Sequence, residues 1–277
     1  MLSGTPMTHS RRSFLEGLAL TVIVSGVARP AMSAAEPIMP HHVLCFLGQE
    51  RGLNRLKEAA QAAITDFAPG WSIDEVYLRD SRDERMSRSF GVCWDRVEPN
   101  AYTSADQQAV ENHGCVLYVV GPKMARDAAV GVSANALRFV GALIEAGATA
   151  VKGENAGVAH GLARWRQLHQ QAKKIEESGD RNGLSRICRM ALAKRPLASD
   201  KYFESVGFHL VGLPEVYVSK RLGSDRDAVA VMDKVADDMK QRDMQAVLRT
   251  YKATVSPESD YKSGDLKFNP YGIVQIG

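Results

Sequence analysis

The chain has 277 residues and a formal net charge of +3, and 45% of its residues are hydrophobic. That hydrophobic fraction is ordinary for a folded globular protein and excludes an intrinsically disordered chain. A nearly neutral chain has no electrostatic signature of nucleic-acid binding, so we expect no nucleic-acid partner.

The N-terminal segment predicts export from a bacterial cytoplasm. It contains two adjacent arginines followed closely by an apolar pair: Arg11, Arg12, Phe14 and Leu15. A short apolar run over residues 18–27 and a small-residue stretch ending at Ala35 come next. A charged start, a short apolar middle and a small-residue cleavage site are the three regions of a secretory signal, and paired arginines indicate the twin-arginine route.

We therefore predict cleavage near Ala35, the twin-arginine export machinery as a partner, and a periplasmic or secreted mature protein. The apolar run is about half the length that crosses a bilayer, so no permanent membrane anchor is expected. Residues 1–35 contain three arginines and one glutamate, which leaves a net charge of only +1 for the rest. We divide the chain into a signal peptide at 1–35, a globular domain at 36–253, and a C-terminal tail at 254–277 with a short terminal strand.

Apolar runs and helical periodicity predict the elements of the mature chain. Extended segments are predicted at 42–47, 71–78, 115–120, 148–152, 202–219 and 272–276. Amphipathic helices are predicted at 53–67, 137–146, 158–175, 184–191 and 224–239. Asp180 and the pair Ser224 and Asp227 are predicted helix caps. Strands that alternate with amphipathic helices predict an α+β fold (an α/β-type sandwich), with helices covering a mixed sheet in a single compact domain.

The four cysteines allow disulfides in an oxidising compartment. They are Cys45, Cys93, Cys115 and Cys188. Cys45 and Cys115 lie in predicted buried strands, where a free cysteine behaves as a small hydrophobe, and a bridge between them requires the two strands to be neighbours. No C-x-x-C or C-x-H spacing indicates zinc or haem, so no metal site and no cofactor are evident.

Known catalytic motifs are absent from the sequence. It has no phosphate-binding loop, dinucleotide fingerprint, G-x-S-x-G elbow or H-E-x-x-H pair. Whether the protein is an enzyme is therefore left open by its motifs.

The first segment of interest, residues 152–161, places polar groups where a predicted strand gives way to a predicted helix. Glu154 and His160 are catalytic candidates there, with the carboxylate as base and the imidazole as acid or metal ligand. Ligands bind at such strand ends in α/β sheets. The alternative is structural: Asn155 caps the helix and His160 makes one hydrogen bond.

The second segment, residues 206–216, places His209 inside an otherwise apolar strand. A buried histidine needs a hydrogen-bond partner. Strict alternation puts His209 on the same face as Glu215 but too far along the strand for direct contact. His209 is our third catalytic candidate, and the alternative is a core histidine whose hydrogen bonds are satisfied.

These two segments resemble a bacterial family of uncharacterised domains, the domain-of-unknown-function family 4261. The matching stretches are 155–160 (Asn-Ala-Gly-Val-Ala-His) with Trp165 after it, and 207–215 (Gly-Phe-His-Leu-Val-Gly-Leu-Pro-Glu). Phe208 and Glu215 depart conservatively from the family pattern, and the resemblance covers about residues 42–218. It implies a fold and marks Asn155, Trp165 and Glu215 as binding candidates, without an established reaction.

Three functions remain open at this point. The first is an exported protein that binds a small molecule or another protein without catalysis. The second is an envelope hydrolase or transferase that brings His160, His209 and a carboxylate such as Glu154 into one pocket. The third is a cofactor-bearing protein, because the twin-arginine route exports folded cargo.

Overall fold

The computed structural model describes residues 38–258 and 264–277, and the predicted signal peptide lies outside these ranges. Ten strands occur within them: β1 (Val43–Gly48), β2 (Ser72–Ile73), β3 (Cys115–Val120), β4 (Ala148–Gly153), β5 (Val158–His160), β6 (Lys194–Ala198), β7 (Tyr202–Val206), β8 (Glu215–Ser219), β9 (Ala253–Ser256) and β10 (Ile273–Ile276). Eight α-helices occur in the same ranges: α1 (Leu53–Asp66), α2 (Arg85–Cys93), α3 (Ser104–Glu111), α4 (Ala129–Glu145), α5 (Leu162–Glu177), α6 (Arg181–Leu192), α7 (Asp225–Gln241) and α8 (Met244–Tyr251).

The first sheet has the strand order β2-β3-β1-β4-β5, and all of its neighbouring strands are antiparallel. Its central strands are buried on both faces, which explains why β1 and β3 are continuous apolar runs in the sequence. Phe46 and Leu117 face α1 and α4, while Cys45 and Val116 belong to the separate apolar cluster under α2 and α3.

The second sheet has the order β6-β7-β8-β10-β9 and is mixed, because β10 runs parallel to β8. Helix α7 packs against β8, and α8 packs against β9. The predicted terminal strand is therefore present, and it lies inside this sheet between β8 and β9.

The predicted α+β class and single compact domain are confirmed, but the prediction of one mixed sheet is wrong in detail because there are two. The chain turns directly from β4 into β5, so residues 158–160 form an edge strand and α5 begins only at Leu162. The predicted extended segments 71–78 and 202–219 are also interrupted. A loop at 74–78 follows β2, and a 3-10 turn (Phe208–Val211) separates β7 from β8.

The predicted helix caps are present. The Asp180 carboxylate accepts a hydrogen bond from the Gly183 N–H at 2.8 Å at the start of α6. Ser224 and Asp227 form a reciprocal capping box at the start of α7. Among the described helices, none combines the length and the apolar character that crossing a bilayer requires.

The two sheets meet at Gly207, which precedes the 3-10 turn. Its φ is 108°, a conformation that side chains other than glycine rarely adopt. A Cβ atom at this position would lie 2.9 Å from the Ala156 Cβ and 3.0 Å from the Ala193 Cα. The turn between β4 and β5, the end of α6 and the end of β7 therefore pack together only because residue 207 has no side chain.

We predict that Gly207→Ala lowers the free energy of unfolding by about 2 to 4 kcal/mol, from backbone strain and the two close contacts together. Gly179→Ala is the matched control, because Gly179 also has a positive φ of 73° but would meet nothing within 4 Å. Its cost should be about 1 kcal/mol. Urea unfolding measures both, and equal losses would show that Gly207 is not a packing constraint.

Candidate functional site

His209 and Glu215 are in direct contact, which corrects our expectation that they are too far apart. The 3-10 turn between them shortens the path, and His209 Nδ1 lies 3.2 Å from Glu215 Oε1. Both side chains are fully buried. At its Nδ1 atom, His209 is therefore a core histidine with a hydrogen-bond partner, which is the structural alternative.

The Glu215 carboxylate is the centre of a larger buried network. Besides His209, it accepts hydrogen bonds from four groups: the N–H of Gly207 at 2.9 Å, the N–H of Phe208 at 3.0 Å, Asn269 Nδ2 at 3.1 Å and the Ser205 hydroxyl at 2.5 Å. Five donors on one carboxylate compensate for its removal from water. The network joins β7, the 3-10 turn, β8 and the loop before β10.

His42 is a second buried histidine near this turn. Its Nε2 donates to the Ser133 hydroxyl at 2.8 Å, because that hydroxyl donates its own proton to the Leu210 carbonyl. Burial lowers the pKa of His42 to about 3, with smaller contributions from His209 and His41. His42 is therefore neutral at physiological pH.

His160 lies in β5 and not in a helix, because α5 begins two residues later. Its Nε2 is 3.0 Å from the Ala191 carbonyl oxygen, and its Nδ1 is 3.4 Å from Asp95 Oδ2. Burial opposes the charge of Asp95, but the hydrogen bond and charge of His160 outweigh it and lower the pKa of that carboxyl. Trp165 packs edge-on against the imidazole at 4.7 Å and donates its indole N–H to the Val151 carbonyl at 3.1 Å.

Asn155 has a structural role different from the predicted helix cap. It lies in the turn between β4 and β5, and the N-cap of α5 is Gly161. Its Oδ1 accepts from the Val43 N–H at 2.8 Å, and its Nδ2 donates to the His41 carbonyl at 2.6 Å. These bonds fix the entrance of β1 against the end of β4.

The three catalytic candidates have separate partners. Within residues 38–258 and 264–277, no hydrogen bond or ion pair joins any two of Glu154, His160 and His209. His160 and His209 are at most 1% exposed, whereas the Glu154 side chain is 23% exposed. Of the three, only Glu154 reaches the surface.

Glu154 belongs to a polar cluster that crosses the α2 side of the first sheet. Lys152, Cys45 and Tyr118 are directly paired neighbours on β4, β1 and β3, so their side chains share one face. Lys152 is 1% exposed, and its Nζ lies 2.9 Å from Glu154 Oε1 and in contact with the Ser89 hydroxyl on α2. The Tyr118 hydroxyl donates to the same Glu154 oxygen at 3.0 Å. We call Ser89, Tyr118, Lys152 and Glu154 the Lys152 cluster.

The protonation states of this cluster follow from burial and charge. Burial opposes the ammonium of Lys152, but the interactions of Lys152 with Cys45 and Glu154 outweigh burial and raise the pKa of Lys152. Burial also raises the pKa of Cys45 to about 12 and raises the pKa of Tyr118. At neutral pH Lys152 is therefore an ammonium, Tyr118 a phenol and the adjacent Cys45 a thiol, and all three groups are hydrogen-bond donors.

The Lys152 cluster is bordered by α2, which carries Ser89, and by the loop at 74–78, whose Tyr77 packs against Tyr118, and its Glu154 side chain is 23% exposed. Asp74 and Arg79 donate their backbone N–H groups to the Tyr118 and Val116 carbonyls, so the residues between them project beside Tyr118. That loop contributes two of the exposed large apolar side chains, and α2 contributes a third one turn after Ser89: Val76 at 73%, Tyr77 at 43% and Val92 at 40% exposure. We call these three residues, with Ser89 and Glu154, the mouth.

Sequence reasoning missed Lys152, Ser89 and Tyr118. One signal was available, because Lys152 ends the apolar run of β4 and a charged residue in a buried strand needs a partner. Ser89 gave no signal, since the residues around it lie outside every strand and helix predicted from the sequence. Only the packing of α2 on the sheet brings it to Lys152.

The cysteines form no disulfide, although all four lie in the described ranges and are buried. Strands β1 and β3 are neighbours, but Cys45 pairs with Tyr118, three residues beyond Cys115, so the two sulfur atoms lie on opposite faces. In the described part of the chain, no three His, Cys, Asp or Glu side chains are grouped so as to hold a metal ion.

A separate cleft of about 640 Å³ lies between the end of α1, α4 and α5. Its charged lining contains both signs: Asp66, Arg138, Glu145, Arg166, Lys173 and Glu176. Arg138 pairs with Glu176 at 3.4 Å and stacks on Phe67, so these charges largely satisfy one another. The cleft therefore favours no particular ligand charge.

Comparisons with known proteins assign no family, because no family model, no curated protein and no solved structure matches the chain. The resemblance to family 4261 and the signal peptide therefore stay predictions. A function for this chain has to rest on the geometry of its own residues.

The buried, neutral His42 predicts a pH-dependent stability. The pKa of His42 is about 3 in the folded protein, against an ordinary value of 6.5 for histidine, so the unfolded chain binds more protons between these values. The contribution of neutral His42 to the free energy of unfolding is therefore fully present above pH 6.5. It is lost as the pH falls, by about 3 kcal/mol near pH 4.

His42→Gln should remove this part of the pH dependence, and His41→Gln, at the less buried neighbouring position, is the control that should keep it. Urea unfolding between about pH 4 and pH 7 measures both slopes. An unchanged slope in His42→Gln would contradict the assignment.

Proposed function

We propose that the chain is an exported bacterial binding domain that takes a small-molecule or protein ligand at the mouth, without catalysis. The observation that carries the proposal is the buried ammonium of Lys152, held between Glu154 and Ser89 beneath an exposed apolar rim. Ligand sites typically combine an apolar and aromatic wall with a few fixed polar groups. The mouth has both, and its polar groups are already oriented before a ligand arrives.

Several contacts favour binding over catalysis by the predicted histidines. His160 and His209 are buried, and each has a carboxylate beside its Nδ1 atom. A general acid or base has to lie within hydrogen-bond reach of its substrate. Neither imidazole meets this condition in the folded chain, so a hydrolase or transferase that uses them would first have to open its core.

A serine hydrolase or transferase is the second candidate, because the Ser89 hydroxyl contacts the Lys152 amine. In such a pair a neutral amine takes the hydroxyl proton while the oxygen attacks a carbonyl carbon. Lys152 is already protonated at neutral pH, because burial is outweighed by its interactions with Cys45 and Glu154 and its pKa is raised. Covalent labelling of Ser89 by a fluorophosphonate probe would favour this candidate over simple binding.

Periplasmic or secreted localisation forms part of the proposal and rests on residues 1–35. We predict that Arg11→Lys combined with Arg12→Lys leaves full-length precursor in the cytoplasm, because the paired guanidinium groups are the signal that the export route reads. Arg29→Lys is the matched control, since Arg29 lies in the same segment but outside the pair. Immunoblots of cytoplasmic and periplasmic fractions measure the effect, and normal export of the double variant would exclude the twin-arginine route.

The binding proposal predicts that small fragments collect at the mouth. In a fragment screen followed by backbone amide NMR shifts, we expect the largest changes at Tyr77, Ser89 and Glu154. Val92→Ser should weaken these fragments about threefold to tenfold through loss of apolar contact. Val255→Ser, at a valine of similar exposure on β9, should leave them unchanged. Fragments that instead collect in the cleft between α4 and α5 would place the site there.

A further inference from the structure

The Lys152 cluster leaves one hydrogen-bond donor unused at the mouth. A protonated lysine has no lone pair, so the Lys152 ammonium donates and the Ser89 hydroxyl oxygen accepts. Ser89 therefore retains its own proton, and none of the residues in the described ranges accepts it. Ser89 is half-buried on α2.

One acceptor is left unused beside that donor. Glu154 Oε1 accepts from both Lys152 and Tyr118, whereas Glu154 Oε2 has no partner among the described residues. Ser89 and Glu154 both contact the Lys152 nitrogen, so the free donor and the free acceptor belong to two groups bonded to the same ammonium.

The Lys152 and Arg85 charges at the mouth are each paired with a carboxylate. Lys152 pairs with Glu154 at 2.9 Å, and Arg85, one turn before Ser89, pairs with Asp83 at 2.6 Å. Arg85 also interacts electrostatically with Tyr77 and Tyr118, which places it near the same opening. A charged ligand that bonds Ser89 and Glu154 would lose water beside charges that are already paired, which is costly. The Arg79 guanidinium has no carboxylate partner among the described residues, but it donates to the Val76 and Leu78 carbonyls of the loop.

The exposed apolar side chains at the mouth set a third requirement for the ligand, after its hydrogen bonding and its charge. Tyr77 packs against Tyr118 with ring centroids 5.9 Å apart, and Val76 and Val92 remain exposed nearby. An exposed apolar and aromatic rim favours a ligand with an apolar group next to its polar atoms.

We propose that the ligand at the mouth is an uncharged amide of the kind found in one extended peptide residue. Its C=O accepts from Ser89, its N–H donates to Glu154 Oε2, and its apolar side chain packs on Tyr77 and Val92. An extended residue turns its own N–H and C=O to the same side, as in a hydrogen-bonded pair of antiparallel strands. The inference rests on the proposed binding function and adds the chemical class of the ligand.

Three probes that share the phenylalanine side chain and differ in the charge of one end group test this class. They are N-acetyl-L-phenylalaninamide, which is neutral, N-acetyl-L-phenylalanine, which is an anion, and L-phenylalaninamide, which is a cation. We expect the neutral probe to shift the amides of Tyr77 and Ser89 and to bind about tenfold more tightly than either charged probe. Tighter binding of a charged probe would overturn the amide assignment.

Two variants separate ligand recognition from a structural effect. Ser89→Ala removes the donor and should weaken the neutral probe about threefold to tenfold. Glu154→Gln removes the carboxylate partner of Lys152, so the anionic probe should then bind at least as tightly as the neutral one. A purely structural role for Glu154 would weaken all three probes equally and would overturn the assignment.

The failure of this inference differs from the failure of the proposed function. If fragments bind at the mouth but the neutral amide does not, the amide assignment is wrong and a binding domain remains. If neither the fragments nor the three probes perturb the mouth, the proposed function is wrong as well. Native-like amide spectra of Ser89→Ala and Glu154→Gln are the control for folding.

Discussion

The buried carboxylate of Glu215 holds together the part of the molecule where the two sheets meet. Its oxygens accept five hydrogen bonds from β7, the 3-10 turn and the loop before β10. A buried carboxylate without such donors would be strongly unfavourable, so these segments can pack only in the arrangement that supplies them. Gly207 at the start of the turn allows the close approach, and the C-terminal strand then pairs beside β8.

The same principle distinguishes structural polar residues from the candidate site. His42, His160, His209 and Asn155 are buried and bonded to main-chain or side-chain groups of the core, and they specify how segments distant in sequence pack together. The Lys152 cluster has one equally buried charge, the Lys152 ammonium, on its inner side, but Ser89 and Glu154 extend its hydrogen bonding to the surface. A rigid polar centre with hydrogen-bonding capacity left at its outer edge is suited to binding, because its groups need no further ordering.

Local patterns predicted the local elements well. The run at 115–120 forms β3 with these same bounds, and the capping residues Asp180 and Ser224 begin their helices as expected. The errors arose where tertiary contacts override local preference. Residues 158–160 share the apolar periodicity of α5 but form an edge strand that pairs with β4. If α5 began earlier, the backbone groups of β4 on this side would lose their hydrogen-bond partners. The expected separation of His209 and Glu215 assumed a straight strand, which the turn at 208–211 replaces.

By itself, the sequence determined the α+β class, the single domain, and most strands and helices. It also singled out two segments whose polar side chains lie in apolar surroundings. It could do so because apolar periodicity and capping chemistry act over a few neighbouring residues. Tertiary structure alone decided that there are two sheets and that His209 meets Glu215. It also decided that Ser89 meets Lys152, through contact across 63 residues. Such contacts depend on how helices and sheets pack, and no pattern within one segment contains that information.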